Sequence, residues 1–251
     1  MNAAAATKPA LYVFAISHFC EKGRWTLDHH KIDYELRFVG PGFHAATARK
    51  LGAAATTYPI LVADGRAIQG STEIVDWADA HGSGPSLTPT SARAECLAIE
   101  QRLGDLVGLH TRRLFYSEAM VEHPRTIKPI FTKDLDFVQR VVLSAGWPYV
   151  RKKMIESLHL GRAEGDESQR IIDGELGWLD GLLADGRSYL VGDRFSRADL
   201  SGAALLARMA APKEHPGYAY LGMPPRLAEV QATWRDRPSL SWVREIYRRF
   251  R

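Results

Sequence analysis

The sequence predicts a small α/β domain followed by an all-helical one, and three observations predict it. Strand and helix patterns alternate from residue 11 to about residue 81. The stretch His81-Gly82-Ser83-Gly84-Pro85-Ser86-Leu87-Thr88-Pro89 then reads as a linker. Beyond it the strand patterns stop, and apolar residues recur at helical spacing. The chain of 251 residues is long enough for two ordinary domains, expected at 9–83 and 90–251.

Leu11 to Ile16 is a continuous apolar run and reads as a buried strand. Cys20 to Lys31 reads as a helix that carries Trp25 and Leu27. Tyr34 to Val39 alternates, with Tyr34, Leu36 and Phe38 on one face, as a second strand does. A βαβ unit of this length favours a parallel pair. After the turn Gly40-Pro41-Gly42, His44 to Leu51 makes a short helix. Ile60 to Ala63 and Arg66 to Ile68 flank Asp64-Gly65, a strong hairpin signal. Ser71 to His81 is helical, with Ile74, Val75, Trp77 and Ala78 as its apolar side, so the order is βαβαββα. In the second domain Cys96, Ile99, Leu103, Leu106 and Val107 form a helical stripe that places Cys96 in the core. Further helices are expected near 112–122, 132–144, 147–160, 166–185, 198–210 and 225–250, with a loop over 212–225.

Composition excludes several classes. With 45% hydrophobic and 25% charged residues the chain has the make-up of a soluble globular protein. No apolar run approaches the ~20 residues that cross a bilayer, so no membrane partner is expected. The start, Met1 to Lys8, reads as a frayed terminus without a secretory core. Two cysteines, Cys20 and Cys96, do not make a disulfide scaffold and fit a reducing compartment, with the cytoplasm as default. The net charge of +4 comes from interleaved charges, with one basic concentration over 244–251 that reads as a solvated helix face. Aromatic interleaving of the RNA-binding kind is absent, so no nucleic acid is expected. His29 and His30 lie on diverging helix faces without a third ligand, so no metal site is expected. There is no Gly-x-Ser-x-Gly elbow, phosphate loop or dinucleotide fingerprint.

The chemistry concentrates at helix starts. Ser17 and Cys20 stand three residues apart at a strand-to-helix turn, where exposed N–H groups and the helix dipole favour a thiolate. Ser71 leads the last helix of the first domain, and its hydroxyl with the following amides can cap that helix or bind a carboxylate. Tyr58-Pro59 precedes a strand, a place that tolerates proline in either isomer. Phe195-Ser196-Arg197-Ala198-Asp199-Leu200 reads as a capping box, with Phe195 and Leu200 as its hydrophobic staple, and is structural.

Taken together these segments resemble the cytosolic glutathione S-transferase superfamily, in a bacterial-type form with a Ser-x-x-Cys motif. Ser17-His18-Phe19-Cys20-Glu21-Lys22-Gly23-Arg24-Trp25-Thr26-Leu27 is similar to the family's Ser/Cys-Pro-Phe-x-x-Lys/Arg-x-Arg-x-x-Leu segment. Tyr58-Pro59-Ile60-Leu61 resembles Val-Pro-x-Leu, in which the proline is cis, and Gly70-Ser71-Thr72-Glu73-Ile74 resembles Glu/Gln-Ser-x-x-Ile. Ser196 to Asp199 resembles the family's Ser/Thr-x-x-Asp cap. The resemblance covers about residues 11–250. It implies a thioredoxin-like first domain that binds glutathione as co-substrate, and an all-α second domain that offers a hydrophobic site to a small apolar electrophile. It also implies a homodimer and a role in detoxification.

The resemblance assigns roles by position. Ser17 would donate to the glutathione sulfur and steady its thiolate, with Cys20 as the rival catalytic group. Tyr58 and Pro59 would pair with the cysteinyl part. Ser71, helped by Thr72, would hold the γ-glutamyl carboxylate. Gly70 stands where the family usually has Glu or Gln for the amino group, and Gln69 is displaced by one position. Two alternatives stay open on the sequence: a non-catalytic binding protein, and a glutathione-dependent thiol–disulfide oxidoreductase working through Cys20. Leu114, Phe115, Tyr116 and Met120 are candidate walls for the electrophile, and an ordinary core explains them equally.

Overall fold

The computed structural model of the protein describes residues 8–216 and 223–251. The terminus expected to fray and part of the 212–225 loop lie outside the described residues. Two compact units emerge, one of residues up to Ser86 with Phe131–Leu143, the other of Leu87–Ile130 with Ser144–Arg251.

The first unit runs β1 (Ala10–Val13), α1 (His18–His29), β2 (Glu35–Phe38), α2 (His44–Lys50), β3 (Ile60–Ala63), β4 (Arg66–Gln69) and α3 (Ser71–His81). This is the βαβαββα order of a thioredoxin-like domain. The sheet order is β2-β1-β3-β4. Strands β1 and β2 pair in parallel with Leu11 opposite Leu36, as the crossover connection requires. β3 runs antiparallel to β1, with Leu61 opposite Leu11, and antiparallel to β4, with Ile60 opposite Gln69. The β3–β4 turn has Asp64 at φ 49° and Gly65 at φ 73°, the two left-handed residues of a tight hairpin. Leu11, Val13, Leu27, Ile60, Leu61, Ile74 and Ala78 form the core between sheet and helices, and Cys20 lies in that core with them. Gly23 lets α1 approach the β3 entry, since a Cβ there would stand 3.2 Å from Pro59. In the added segment of this unit, Leu135 and Leu143 close over Gly40.

The second unit is helical. α4 (Arg93–Arg102) and α5 (Leu109–Tyr116) form one long run through π-helical turns at Leu103–Gly108 and Ser117–Glu122. Then come α6 (Pro124–Thr132) and α7 (Phe137–Ser157), of which the stretch Phe131–Leu143 counts with the first unit, and α8 (Arg162–Leu182), α9 (Arg197–Ala210), α10 (Pro225–Trp234) and α11 (Pro238–Phe250). Two expectations about boundaries change. The helices expected at 132–144 and 147–160 are one helix, α7, which carries Pro148 inside it. Its true start is marked by Asp136, whose carboxylate accepts from the Gln139 N–H at 2.8 Å. Conversely, the helix expected over 225–250 is two, because Pro238 starts α11 after Arg237 turns extended at ψ 140°.

The capping box at α9 forms as its residues dictate. Asp199 accepts from the Ser196 N–H and hydroxyl, both at 2.8 Å, and from the Leu190 N–H at 2.7 Å. Ser196 is 1% exposed, so the box also ties the loop at Leu190 to the helix start. Ser196→Ala should lower unfolding free energy by about 1 kcal/mol, read as a shift in the denaturant midpoint without a change in slope.

Candidate functional site

The site grows from the ends of β1 and α1. The Ser17 backbone is extended (φ −82°, ψ 120°) and caps α1, its Oγ accepting from the Cys20 N–H at 3.3 Å. The Ser17 N–H is itself held by the Phe14 carbonyl at 3.2 Å, which fixes the turn. A hydroxyl has two lone pairs and one proton, so an oxygen that accepts from Cys20 keeps its proton to give. Ser17 is half-buried, and at this end of α1 the dipole is positive.

Cys20 is a different kind of residue. It is 1% exposed and belongs to the core cluster. Burial pushes its thiol up to about 11, against the smaller lowering effects of the Ser17 side chain, a backbone hydrogen bond at Phe14 and the Arg24 charge. A thiol poised there is about one part in a thousand thiolate at pH 8. Cys96 is also buried, and burial raises its thiol as well. Iodoacetamide at pH 8 should therefore label neither cysteine in the folded protein. Labelling of Cys20 should rise as pH approaches 11, and both should react after unfolding, as mass spectrometry of the peptides would record.

At the β3 entry, the Tyr58–Pro59 bond is cis. The Pro59 carbonyl accepts from the Gly70 N–H at 3.0 Å, which ties the β3 entry to the α3 start. The main chain of Tyr58 has no partner among the described residues, so an extended peptide can pair with it. Its side chain turns inward. The hydroxyl donates to the His44 carbonyl at 2.9 Å, and burial pushes it up to about 12.

The start of α3 has no side-chain cap, because the N-cap residue is Gly70. Ser71 follows as the first helical residue, 7% exposed, and its hydroxyl has no hydrogen-bond partner among the described residues. Lys22, buried on α1, donates to the Thr72 Oγ1 at 3.3 Å and so joins the two helix starts. Lys22 is five residues from Ser17, roughly 7–8 Å along a helix axis. An extended tripeptide spans about 10 Å, a comparable reach.

The remaining candidates have other work. Gln69 is locked onto the preceding loop, its Oε1 accepting from the Ala55 N–H at 2.9 Å and its Nε2 donating to the Ala55 and Thr57 carbonyls. His29 bonds the Pro85 carbonyl at 2.9 Å, and His30 pairs with Asp79 at 3.0 Å. Leu114, Phe115, Tyr116 and Met120 are all buried in the second unit, where Arg208 lies 3.6 Å above the Phe115 ring. They pack as core residues. Sequence reasoning missed Lys22 as a bridge between α1 and α3, although its place in the motif at the helix start was the available signal.

The first unit thus carries a serine at each of two helix starts, Ser17 capping α1 and Ser71 opening the uncapped α3, with Cys20 buried beside the first. Residues 11–86 match the family model for the glutathione S-transferase, N-terminal domain. Among solved structures, a glutathione S-transferase of Ceriporiopsis subvermispora in complex with glutathione is 18% identical, with a TM-score of 0.65, covering 97% of this chain and 98% of that one. The β-etherase LigF from Sphingobium sp. strain SYK-6 is 20% identical, with a TM-score of 0.60, covering 95% and 99%. A glutathione S-transferase from Methylobacterium radiotolerans in complex with glutathione sulfonate is 20% identical, with a TM-score of 0.56, covering 94% and 93%. These likenesses show the fold: a thioredoxin-like domain followed by a helical region, as in glutathione S-transferase structures. No curated protein matches at the sequence level. Among the described residues no helix is long and apolar enough to cross a membrane.

Proposed function

We propose that the protein is a glutathione S-transferase of bacterial type that activates glutathione for attack on a small apolar electrophile. Glutathione is the co-substrate and no metal takes part. The glutathione-binding domain spans 9–83 and the helical domain, 90–251, supplies the hydrophobic site. The protein works as a cytoplasmic homodimer in detoxification.

One observation carries this reading: a half-exposed serine hydroxyl stands at the positive end of α1, and the neighbouring thiol is buried and undissociated. Such a site steadies a thiolate brought to it and has no exposed thiolate of its own. Ser17 donates its proton to the glutathione sulfur, which favours the thiolate at neutral pH. Tyr58 and Pro59 pair with the cysteinyl backbone. Ser71, Thr72 and the first-turn amides of α3 hold the γ-glutamyl carboxylate, as helix starts hold anions. Cys20 packs under the first turn of α1, which speaks against the oxidoreductase alternative.

Calorimetric titration with glutathione, followed by a conjugation assay with an aromatic halide, tests the reading. Heat of binding and turnover support it. Binding without turnover would return the non-catalytic alternative, and a trapped Cys20–glutathione disulfide would return the redox one. No heat at millimolar glutathione would sink the proposal.

A further inference from the structure

We propose that Glu73 is the residue that recognises the free amino group of glutathione, in place of any side chain at position 70. This rests on the reading of the site given above and adds a specificity determinant to it.

Gly70 adopts φ 115° and ψ 148°, a conformation that side-chain-bearing residues rarely take. The backbone is held there from both sides, its N–H bonded to the Pro59 carbonyl at 3.0 Å and its carbonyl accepting from the Ile74 N–H at 3.1 Å. The space beside it is also taken. The Glu73 carboxylate folds back over the helix start and occupies the place where a Cβ on residue 70 would stand, with Cδ 2.9 Å from that point. An acidic group thus reaches the position that a residue-70 side chain would leave from, three residues further along the chain.

The chemistry of the ligand asks for such a group. An α-amino acid end carries a carboxylate and an ammonium on one carbon, so a site that binds the first meets the second within a few ångströms. The carboxylate side is provided by the α3 start and the 7%-exposed Ser71. The Gln69 side chain is committed to the 55–57 loop, its Oε1 accepting from the Ala55 N–H and its Nε2 donating to the Ala55 and Thr57 carbonyls. Glu73 is exposed and makes no hydrogen bond or ion pair among the described residues. It supplies the negative partner, and the site complements a zwitterion.

The test compares two thiols by calorimetry: glutathione, and glutaryl-cysteinyl-glycine, which keeps the carboxylate and lacks the amino group. Wild-type protein should bind glutathione about ten- to a hundredfold more tightly than the desamino thiol, the usual effect of a charge-assisted hydrogen bond. Glu73→Gln should lose that preference by weakening glutathione alone, with binding of glutaryl-cysteinyl-glycine and the unfolding midpoint unchanged. Glu73→Ala should behave in the same way. Equal losses for both thiols, or wild-type affinity for glutathione in Glu73→Gln, would overturn the assignment while leaving the transferase reading in place. Failure of wild-type protein to bind glutathione at all would overturn both.

Discussion

Ser17→Ala is expected to lower the rate of glutathione conjugation by about ten- to a hundredfold, while Cys20→Ser leaves it largely intact. A charge-assisted hydrogen bond is worth ~1.5–3 kcal/mol, and each 1.36 kcal/mol is one pKa unit or a factor of ten. The Ser17 Oγ accepts from the Cys20 N–H, so its proton is the part available to a sulfur anion. Alanine removes that proton and leaves the helix dipole, so residual activity persists and the rising limb of the pH–rate profile moves up by one to two units. The sign follows from the thiolate being the attacking form: a higher thiol pKa demands a higher pH for the same rate. Alanine also removes a helix cap worth about 1 kcal/mol, so rates belong well below the unfolding midpoint. Cys20→Ser buries a hydroxyl in an apolar cluster and should cost stability more than activity. The opposite pattern, with Cys20→Ser inactive and Ser17→Ala active, would make Cys20 the catalytic group.

Arg197→Met should produce the largest loss of stability, on the order of 3–5 kcal/mol. Arg197 is fully buried in the second unit, with its Nε 2.6 Å from Glu100 and a terminal nitrogen 3.0 Å from the Thr88 hydroxyl. Its N–H also bonds the Leu87 carbonyl at 2.8 Å, so this one residue links α4, α9 and the segment before them. Methionine fills much of the volume but leaves Glu100, 3% exposed, as a buried anion with its guanidinium gone. The thermal midpoint should fall by about 6–20 °C, taking 2–4 °C per kcal/mol for a chain of this size. Replacing both partners, as Arg197→Met with Glu100→Leu, should recover part of the loss because no charge is then stranded. A single-variant shift below about 2 °C would contradict this account of the pair.

Most of the first unit was legible in the sequence because its signals are local. Asp64-Gly65 fixes a hairpin, the apolar run at Leu11 fixes β1, and Ser17 marks the start of α1. The split of the helical half was less legible. The helices expected at 132–144 and 147–160 are one, α7, which runs through Pro148 and starts after the cap at Asp136. Apolar periodicity could not reveal the π-helical turns at 103–108 and 117–122, since each covers only six residues, too few for a change of period to show. Nor could it pair Arg197 with Glu100, which lie 97 positions apart and look like surface charges. At the site, Ser17, Tyr58, Pro59 and Ser71 stood in recognisable segments. Glu73 stands in the same segment as Ser71 but at one of its unspecified positions, and its proximity to residue 70 follows from the backbone of Gly70, a dihedral angle that residue types alone do not disclose.

The most direct measurement is the titration of the bound glutathione thiol, followed through the ultraviolet absorbance of its thiolate. The account predicts that binding lowers the thiol pKa by about two units from its ordinary value near 8.5, equivalent to ~2.7 kcal/mol, and that Ser17→Ala restores most of the shift. A thiol that titrates at its ordinary value when bound, or at the same lowered value in Ser17→Ala, would contradict it.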